Sequence, residues 1–546
     1  MSEVQIQSID QLGLVMGMIR ELEIMDQIDT MLPSKSEDKK VSCATGVAAM
    51  ILIGLGYANK QLYLTPRFFE KKATEHLLGE GITPEILNRD TLGRTLDALY
   101  EYGVSECYET LAHHAMRCLG LMPSLVHLDS TSFHVDGRYN SKETPEPGVI
   151  QITPGYSRDH HPHLNQVVLN LIVEHQAGIP LMMKAANGNQ IDSEAFASIV
   201  DAHIDSLKAA TDTSLTLIAD AALFTGKGLH AIKEKGIGFI SRVPRRIKEA
   251  SVLESLPLSL EPLDETYGFS LHPITYGGIP QQWVLYESTE GKRRASLTTN
   301  ATLLKESLSL VKTVQKLTKT LFYCEEDAKV ALEAFQKSQS VIELHHPTLI
   351  QIPSYSGKGR PSPQSTPSHY RYQWELSFTM SLDQRKALSE HEGRFILATN
   401  DMSLSPQALL MHYKAQERVE RGFRFLKSPE FLSDALFLKK PERIEAMLMI
   451  MTLCLMVYAA LEYKIRKELV LQNKTFPNQL GKPIQNPTAR WILENFHEIQ
   501  LLCVPTLSQT LIVNLLDRNR IILDLLGSHY WRYYTVQNKM QNWGAQ

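Results

Sequence analysis

The spacing of the apolar residues changes at Pro123, and this change constrains the fold more than any other feature of the chain. Before it, residues 1–122 place apolar side chains three and four positions apart, which predicts helices, and Thr83 and Pro84 are residue types that begin one. After it, short apolar, β-branched runs alternate with amphipathic stretches. This pattern predicts a mixed sheet covered by helices. The predicted strands are 125–135, 166–175, 178–185, 214–220 and 237–244.

The same patterns divide the 546 residues into five segments. A helical segment, 1–122, precedes the first part of the sheet at 123–249. Strand-rich sequence with a Pro/Ser-rich loop breaks the rhythm over 250–390. The segment 391–470 returns to the sheet and continues as two long helices, and 471–546 is mostly helical. We therefore predict an α/β plus α fold, in which a strand-rich insertion interrupts a mixed-sheet core between a helical N-terminal domain and a helical C-terminal tail.

The stretch 446–461, AMLMIMTLCLMVYAAL, has 16 residues without a charge. A membrane-spanning helix needs about 20 such residues, so we predict a helix buried in a large core and no membrane contact. The formal net charge of −4 excludes nucleic-acid binding through bulk positive charge but leaves local basic clusters open. The first residues lack the features of a secretory signal, and the six cysteines lack metal-ligand spacing, so we expect a reduced, intracellular protein.

Two aspartates occupy unusual positions in the predicted strands. Asp129 lies inside the first strand, VHLDSTSF, where a carboxylate is costly unless a partner such as a metal ion compensates it. Asp220 closes the strand LTLIAD, at the end of a strand where functional groups of open α/β sheets are usual. Taken singly, each also fits a structural aspartate with satisfied hydrogen bonds.

A third acid, Glu420, belongs to a polar stripe in YKAQERVERGFRFLK. At 100° per residue, Tyr413, Gln416, Glu420, Arg424 and Lys427 fall within an arc of about 80° on one helix. One interpretation is a solvated face with an i,i+4 pair between Glu420 and Arg424. The aromatic and small neighbours, and the apolar helix that follows, favour a half-buried stripe instead.

Together the three acids suggest a divalent-metal site, because hard oxygen ligands suit Mg²⁺ or Mn²⁺. Two metals held by shared carboxylates activate a water or hydroxyl and stabilise a leaving oxygen in phosphodiester chemistry. The cations on the same helix would then clamp phosphate or DNA backbone.

At this point the chain resembles the DDE transposases of bacterial insertion sequences. Within them it is most similar to a cut-and-paste group with an RNase H-like catalytic domain and a strand-rich insertion, the branch called insertion-sequence sixteen-thirty-four. The resemblance covers nearly the whole chain. It rests on HLDSTSF, on GYSRDHHPHLNQVVLNLIVEHQAGIPL at 155–181, on Gly188, Asn189 and Asp192, on LIADAALFT, and on YKAQERVERGFRFLKSP.

The resemblance implies that Asp129, Asp220 and Glu420 are the catalytic triad and hold two Mg²⁺ ions, with Mn²⁺ as a substitute. The family signature Tyr-x2-Arg-x3-Glu-x6-Lys falls on Tyr413, Gln416, Glu420 and Lys427, so a neutral amide stands at the arginine position. An amide still donates a hydrogen bond to phosphate but adds no charge, and Arg424 is one cation that would compensate.

The resemblance further implies a transposase that binds the terminal inverted repeats of double-stranded DNA, cuts the element ends and joins them to target DNA. The resemblance also implies a homodimer on DNA and a bacterial cytoplasmic, nucleoid-associated location. It implies that residues 1–122 bind the DNA ends and that 471–546 serve in oligomerisation. A nuclease that only cuts and a catalytically inactive DNA-binding derivative are the alternatives.

Three further groups have a functional and a structural interpretation. Arg242, Arg245 and Arg246 fit a DNA-backbone contact and equally a solvated surface. The histidines of RDHHPHLNQ invite a zinc interpretation, but we expect Arg158 and its neighbours to face the active site or DNA. Aromatic residues of the insertion stack on a flipped base in similar enzymes, so Trp283 and Trp374 have that interpretation beside a place in the core.

Overall fold

The structure is a computed structural model that describes residues 5–536 apart from several internal stretches. Those stretches are 34–40, 59–61, 136, 138, 140–147, 158–160, 162, 210, 212–213, 257–258, 340–341, 357–359, 382–391, 429–430, 432–437 and 505–508. Within helices and strands, the side chains of 302–303, 306, 380 and 509 are also outside the description.

The N-terminal region is helical, as its apolar spacing predicts, and begins with one short strand. The longest helix ends at Gly120, whose left-handed φ of 63° suits a residue without a Cβ. Asn88 caps the helix before it through its side-chain oxygen, so that helix begins several residues after the predicted start at Thr83. The elements are β1 (Gln5–Ser8), α1 (Leu12–Glu21), α2 (Ile24–Met31), α3 (Cys43–Leu55), α4 (Thr65–Phe69), α5 (Thr74–Leu78), α6 (Arg89–Tyr102) and α7 (Val104–Leu119).

A large mixed sheet follows, and its first five long strands are those that the sequence predicts. The central strand, Leu125–His134, pairs antiparallel with Asn165–Glu174 and parallel with Thr216–Ala219. The strand Gly238–Arg242 lies beyond and is parallel to Thr216–Ala219. Three helices connect or follow these strands. The elements are β2 (Leu125–His134), β3 (Thr153–Pro154), β4 (Asn165–Glu174), β5 (Pro180–Ala186), α8 (Asp192–Ala209), β6 (Thr216–Ala219), α9 (Gly226–Lys235), β7 (Gly238–Arg242) and α10 (Lys248–Ser255).

The strand order is β5-β4-β2-β6-β7, with β4 antiparallel to its neighbours. This is the order of an RNase H-like sheet, so the predicted fold class is confirmed. In such a sheet, β2 and β6 lie side by side and end at the same edge.

The insertion contains long helices as well as strands, and its first strands extend the main sheet. Beyond β7 the sheet continues with the strand Arg394–Thr399 and then with the inserted hairpin, in which Ile279–Ser288 pairs with Tyr267–Tyr276. Two helices and a separate two-stranded sheet form small cores of their own around Phe335 and Trp374. The elements are β8 (Glu261–Pro262), β9 (Tyr267–Tyr276), β10 (Ile279–Ser288), α11 (Thr289–Lys319), α12 (Glu325–Ser338), β11 (Ile342–Ser354), β12 (His369–Met380) and β13 (Arg394–Thr399).

The region after β13 contains three helices where two were predicted. They are α13 (Pro406–Lys414), α14 (Glu417–Leu426) and α15 (Pro441–Leu471). The uncharged run lies in α15, which is long and apolar enough to cross a membrane by length and composition. However, 83% of its most apolar window is buried inside the protein, against α1, α3, α6 and α7 among others, which supports the core interpretation.

The C-terminal region carries short strands that the sequence did not reveal, alongside the expected helices. The strand β16 pairs with β17 on one side and with β1 on the other, so the two ends of the described chain share one small sheet. Tyr534 lies against Gly13, and Tyr530 lies against Gly17, inside the N-terminal core. The elements are β14 (Phe476–Pro477), β15 (Pro483–Ile484), α16 (Ala489–Glu494), β16 (Gln500–Val504), β17 (Gln509–Val513), α17 (Asp517–Leu526) and α18 (Ser528–Trp531).

A carboxyl group in α15 makes the stability depend on pH. Burial raises the pKa of Glu445 from 4.5 to about 7, although Lys184 opposes the shift. The folded protein therefore holds the Glu445 proton more tightly than the unfolded chain does. The free energy of unfolding falls as the pH rises from 4.5, the unfolded-state pKa, through about 7, the folded-state pKa. We expect Glu445→Gln to raise the free energy of unfolding by about 1–2 kcal/mol at about pH 8 and by less at about pH 5.

Urea denaturation at the two pH values measures this difference. The exposed Glu70 makes a matched control, and we expect Glu70→Gln to change stability little at either pH. An equal effect of Glu445→Gln at both pH values would contradict the raised pKa.

Candidate active site

Two of the predicted acids and one of the predicted arginines lie in a single row across the sheet. The parallel register pairs Leu128 with Ala219 and Ala219 with Ser241, so the residues that follow these three are neighbours. They are Asp129, Asp220 and Arg242. Because paired residues of parallel strands point to the same face and adjacent strands lie about 4.8 Å apart, these side chains share one side of the sheet.

Local hydrogen bonds fix both aspartates. The Ser130 amide donates to Asp129 Oδ1 at 2.8 Å, and the Ala222 amide donates to Asp220 Oδ1 at 2.8 Å. The Ser241 hydroxyl donates to the Asp220 carbonyl at 2.8 Å and so ties β7 to the turn after β6. Each carboxylate therefore has a defined direction before any ligand binds.

Helix α13 covers this face of the sheet and brings Tyr413 over the acids. Leu409 and Leu410 pack against Ile218 and Ile240, which lie two residues before Asp220 and Arg242 on the same face. The burial of these apolar side chains anchors the helix. It also places the following residues, up to Glu420 in α14, beside the row.

The Tyr413 hydroxyl reports the convergence of the three acids. Burial raises the pKa of Tyr413 to about 12, while the Arg242 guanidinium opposes the shift. The carboxylates of Asp220, Asp129 and Glu420 all act in the same direction as burial. One hydroxyl thus lies within electrostatic range of all three acids, although they come from β2, β6 and α14.

The sequence predicts that the polar stripe lies on one continuous helix, and this prediction is wrong. A tightened turn separates α13 from α14. The amide of Gln416 bonds to the Tyr413 carbonyl, and that of Arg418 bonds to the Ala415 carbonyl, each three residues back. Such 3₁₀ bonds turn the chain by about 120° per residue instead of 100°. Residues after Gln416 are therefore rotated relative to the predicted stripe.

Two of the predicted DNA contacts that follow this turn have different surroundings. The Lys427 ammonium lies over the Phe133 ring, 5.8 Å from its centre, near the end of β2 that follows Asp129. Arg424, in contrast, lines a different cleft together with Arg421 and Tyr458. Gln416 lies partly buried at the turn, where its carbonyl accepts bonds from α14.

The three carboxylates offer the donors that a hard divalent cation requires, with the positive charge of Arg242 beside them. They do not form a closed ligand cluster. Among the described residues, the one group of three His, Cys, Asp or Glu side chains with all ligand atoms within 4.8 Å is Glu23, His114 and Cys118. Asp129 and Asp220 thus form a fixed pair of carboxylates, and Glu420 is an exposed residue near the start of α14.

The other predicted basic residues have different positions. Arg246 lines a cleft of about 530 Å³ beside Asp192, Ser130 and Ala222. Arg245 makes a structural pair instead, with its Nε 2.9 Å from Glu254 and a bond to the Arg394 carbonyl. Arg158 lies outside the described residues, as does His160 of the histidine segment. His161 lies edge-on to His134 and to His163.

An amide clamp that the sequence did not single out shapes the wall of the cleft at Arg246. The buried Gln166 side chain donates to the carbonyls of Tyr156 and Gly188, at 3.0 and 2.6 Å. A Cβ at Gly188 would lie 2.1 Å from the Gln166 carbonyl oxygen, and one at Gly155 would lie 2.1 Å from the Gly188 carbonyl oxygen. The clamp holds the 155–157 and 187–192 segments together, which gives a physical reason for the glycines in both motifs.

Both tryptophans of the insertion belong to the core. Trp283 is 1% exposed and its indole nitrogen donates to Gln281. Trp374 is 8% exposed and donates to the Ala328 carbonyl. The core interpretation is therefore confirmed for these two side chains.

Comparison with known proteins gives two family matches. The family described as "Transposase DDE domain" matches residues 121–457, which contain all three acids. A "Domain of unknown function (DUF4277)" matches residues 4–113. No curated protein matches the chain.

Among solved structures, one match is a "piggyBac transposase synaptic complex with hairpin DNA" determined by cryo-electron microscopy. The sequence identity is 9%, the match covers 91% of this chain and 82% of the other, and the TM-score is 0.38. This score is too low to establish a shared fold, so the assignment rests on the family match and on the strand order. Because the matched segment is more than half of the chain, the protein belongs to the transposase DDE domain family, a family of metal-dependent phosphoryl-transfer enzymes that act in DNA transposition.

Proposed function

We propose that the protein is a cut-and-paste transposase that binds terminal inverted repeats, hydrolyses the phosphodiester at the element ends and joins the 3′ hydroxyl to target DNA. The observation that carries this proposal is the convergence of Asp129, Asp220 and Glu420 on the Tyr413 hydroxyl. Three carboxylates within electrostatic range of one buried hydroxyl, beside one arginine, suit phosphodiester chemistry better than they suit a structural salt bridge.

In this proposal Asp129, Asp220 and Glu420 hold two Mg²⁺ ions, for which Mn²⁺ substitutes. Bound ions of this kind lower the pKa of a water and neutralise charge on the phosphate. Tyr413 is protonated at neutral pH, as any tyrosine with an ordinary pKa is, and burial raises its pKa further, so it donates a hydrogen bond to a phosphate oxygen. Arg242 and Lys427 add positive charge on either side of the cut, and Gln416 donates from the turn before α14.

Arg246, in the cleft beside Asp192, extends the proposed DNA contact. Arg158, Arg424 and Arg245 complete the predicted set of DNA-binding residues. We keep the predicted division into 1–122 for end binding, 123–249 and 391–470 for the catalytic core, 250–390 for the insertion and 471–546 for oligomerisation. The same proposal includes a homodimer on DNA, a bacterial cytoplasmic location near the nucleoid, and membership of the insertion-sequence sixteen-thirty-four branch.

The test is a cleavage and joining assay on a labelled duplex that carries the element's own end. We expect nicking at the end with Mg²⁺ or Mn²⁺ and none with EDTA. A pre-cut end should become joined to a plasmid. Glu420→Gln, which removes one carboxylate at nearly constant shape, should abolish both reactions while DNA binding persists.

Other outcomes separate the alternatives. Nicking without joining of the pre-cut end would identify a nuclease that only cuts. Metal-independent DNA binding without any nicking would identify an inactive derivative. Nicking that survives in Glu420→Gln would remove that residue from the triad.

A further inference from the structure

A basic cleft lies between α14 and α15, its floor is apolar, and Asp129, Asp220 and Glu420 are not among the described residues that line it. Phe425 stacks on Tyr458 with ring centres 4.5 Å apart. Gly422 lies against Leu455, and a Cβ there would come within 3.0 Å of that side chain. The missing side chain lets α14 settle onto α15, and the cleft between them has a volume of about 430 Å³.

Among the residues that the structure describes, four arginines and one acid, Glu462, line the cleft. Two of the arginines are structural. Arg418 donates to the carbonyls of His175 and Gln176 at the β4–β5 turn, and Arg466 pairs with Glu462 at 2.8 Å.

The other two arginines have no such role. The guanidinium groups of Arg421 and Arg424 are exposed and make no hydrogen bond or ion pair with any residue that the structure describes. They lie three residues apart on one helix, about 4.5 Å along its axis, so both side chains reach into the same cleft.

The arginines also repel one another. Burial lowers the pKa of Arg418, and the charges of Arg421 and Arg466 act in the same direction, while Glu174 opposes them. Like charges gathered in a concave site lose this repulsion when an anion binds between them. A row of guanidinium groups along a helix matches a phosphate backbone better than it matches a single small anion.

We propose that Arg421 and Arg424 bind the phosphate backbone of a DNA segment other than the one held at the three acids. This inference rests on the proposed function and extends it to a second DNA-binding surface, a separate cleft between α14 and α15. The segment is either the DNA that flanks the element end or the target duplex, and both offer the same phosphate chemistry.

The first measurement is the salt dependence of DNA binding in EDTA, for the full chain and for the double variant Arg421→Gln with Arg424→Gln. Each lost phosphate contact lowers the slope of log K against log salt by about 0.9, so we expect a decrease of about 2 and an affinity loss of about tenfold or more. Arg518 and Arg520, both exposed on α17, provide the control of equal charge, and we expect Arg518→Gln with Arg520→Gln to leave the slope unchanged. An unchanged slope in the double variant overturns the proposal.

Activity then identifies the DNA segment. If the double variant loses end cleavage, the cleft binds the flanking DNA. If it cleaves normally but joins a pre-cut end at least about tenfold more slowly, the cleft binds target DNA, in line with the loss of affinity expected from two phosphate contacts. Because the salt slope needs neither metal nor catalysis, a wild-type protein that fails to cut would refute the proposed function and still leave the cleft testable.

Discussion

Asp220→Asn should lower metal-dependent cleavage and joining by about a thousandfold or more, because a neutral amide in place of a carboxylate weakens metal binding between β2 and β6. The register places Asp220 beside Asp129, and the Ala222 amide fixes its carboxylate. Asparagine has nearly the same shape, and its side-chain oxygen still accepts that hydrogen bond. The loss should therefore appear in the rate and not in the stability of the protein.

Single-turnover cleavage of the element-end duplex measures the loss, and thermal unfolding checks the fold. The matched control is Asp201→Asn on α8, an exposed acid in which the same charge is lost, and its rate should stay within about twofold of the wild type. Equal rates for Asp220→Asn and the wild type would exclude Asp220 from the triad, however close it lies to Asp129.

Gly188→Ala should destabilise the wall of the cleft by about 3 kcal/mol, the upper end of what overpacking of one methyl group costs. The new Cβ would lie 2.1 Å from the Gln166 carbonyl oxygen and 2.3 Å from that of Thr153. Both atoms belong to the backbone of paired strands, β3 and β4, so neither can move aside without breaking the pairing. We expect a lower melting temperature and a large loss of cleavage, since the same segment leads to Asp192 and to the cleft at Arg246.

Gly226→Ala gives the opposite control for this prediction. A Cβ at Gly226 meets no atom within 4 Å, and the residue begins α9, where alanine is favoured over glycine. Its melting temperature should therefore equal or exceed that of the wild type. If Gly188→Ala unfolds at the wild-type temperature, the clamp is looser than its geometry implies.

The catalytic core was predictable because its signals are local. Apolar strands of five to ten residues reveal themselves, and the positions of Asp129 inside one strand and Asp220 at the end of another follow directly from the sequence. The resemblance to RNase H-like enzymes supplies the strand order, and so it indicates which strands lie next to each other in the sheet. The apolar composition of 446–461 likewise indicates that this helix is buried, even though the sequence does not show which elements pack against it.

Other features depend on contacts that a linear pattern does not contain. The break before α14 arises from three-residue hydrogen bonds at Gln416, Arg418 and Val419, and no proline or glycine marks it, so nothing in the sequence indicates that the stripe is interrupted. Thr83 and Pro84 begin only a short 3₁₀ helix, Pro84–Ile86, and Asn88 caps the long α-helix that follows. The strand β16 is five residues long and pairs with β1 from the other end of the chain, so its signal is too weak to stand out.

The packing of Tyr530 and Tyr534 against α1 has a consequence for how a newly made chain matures. The Leu14 amide donates to the Tyr534 hydroxyl across 520 residues of sequence. On the ribosome, the first helices emerge long before the tyrosines that complete their core, so they wait as an unfinished, apolar surface. Maturation of the N-terminal region is therefore a late, post-translational step, and a fragment that stops before Tyr530 should depend on chaperones to stay out of aggregates.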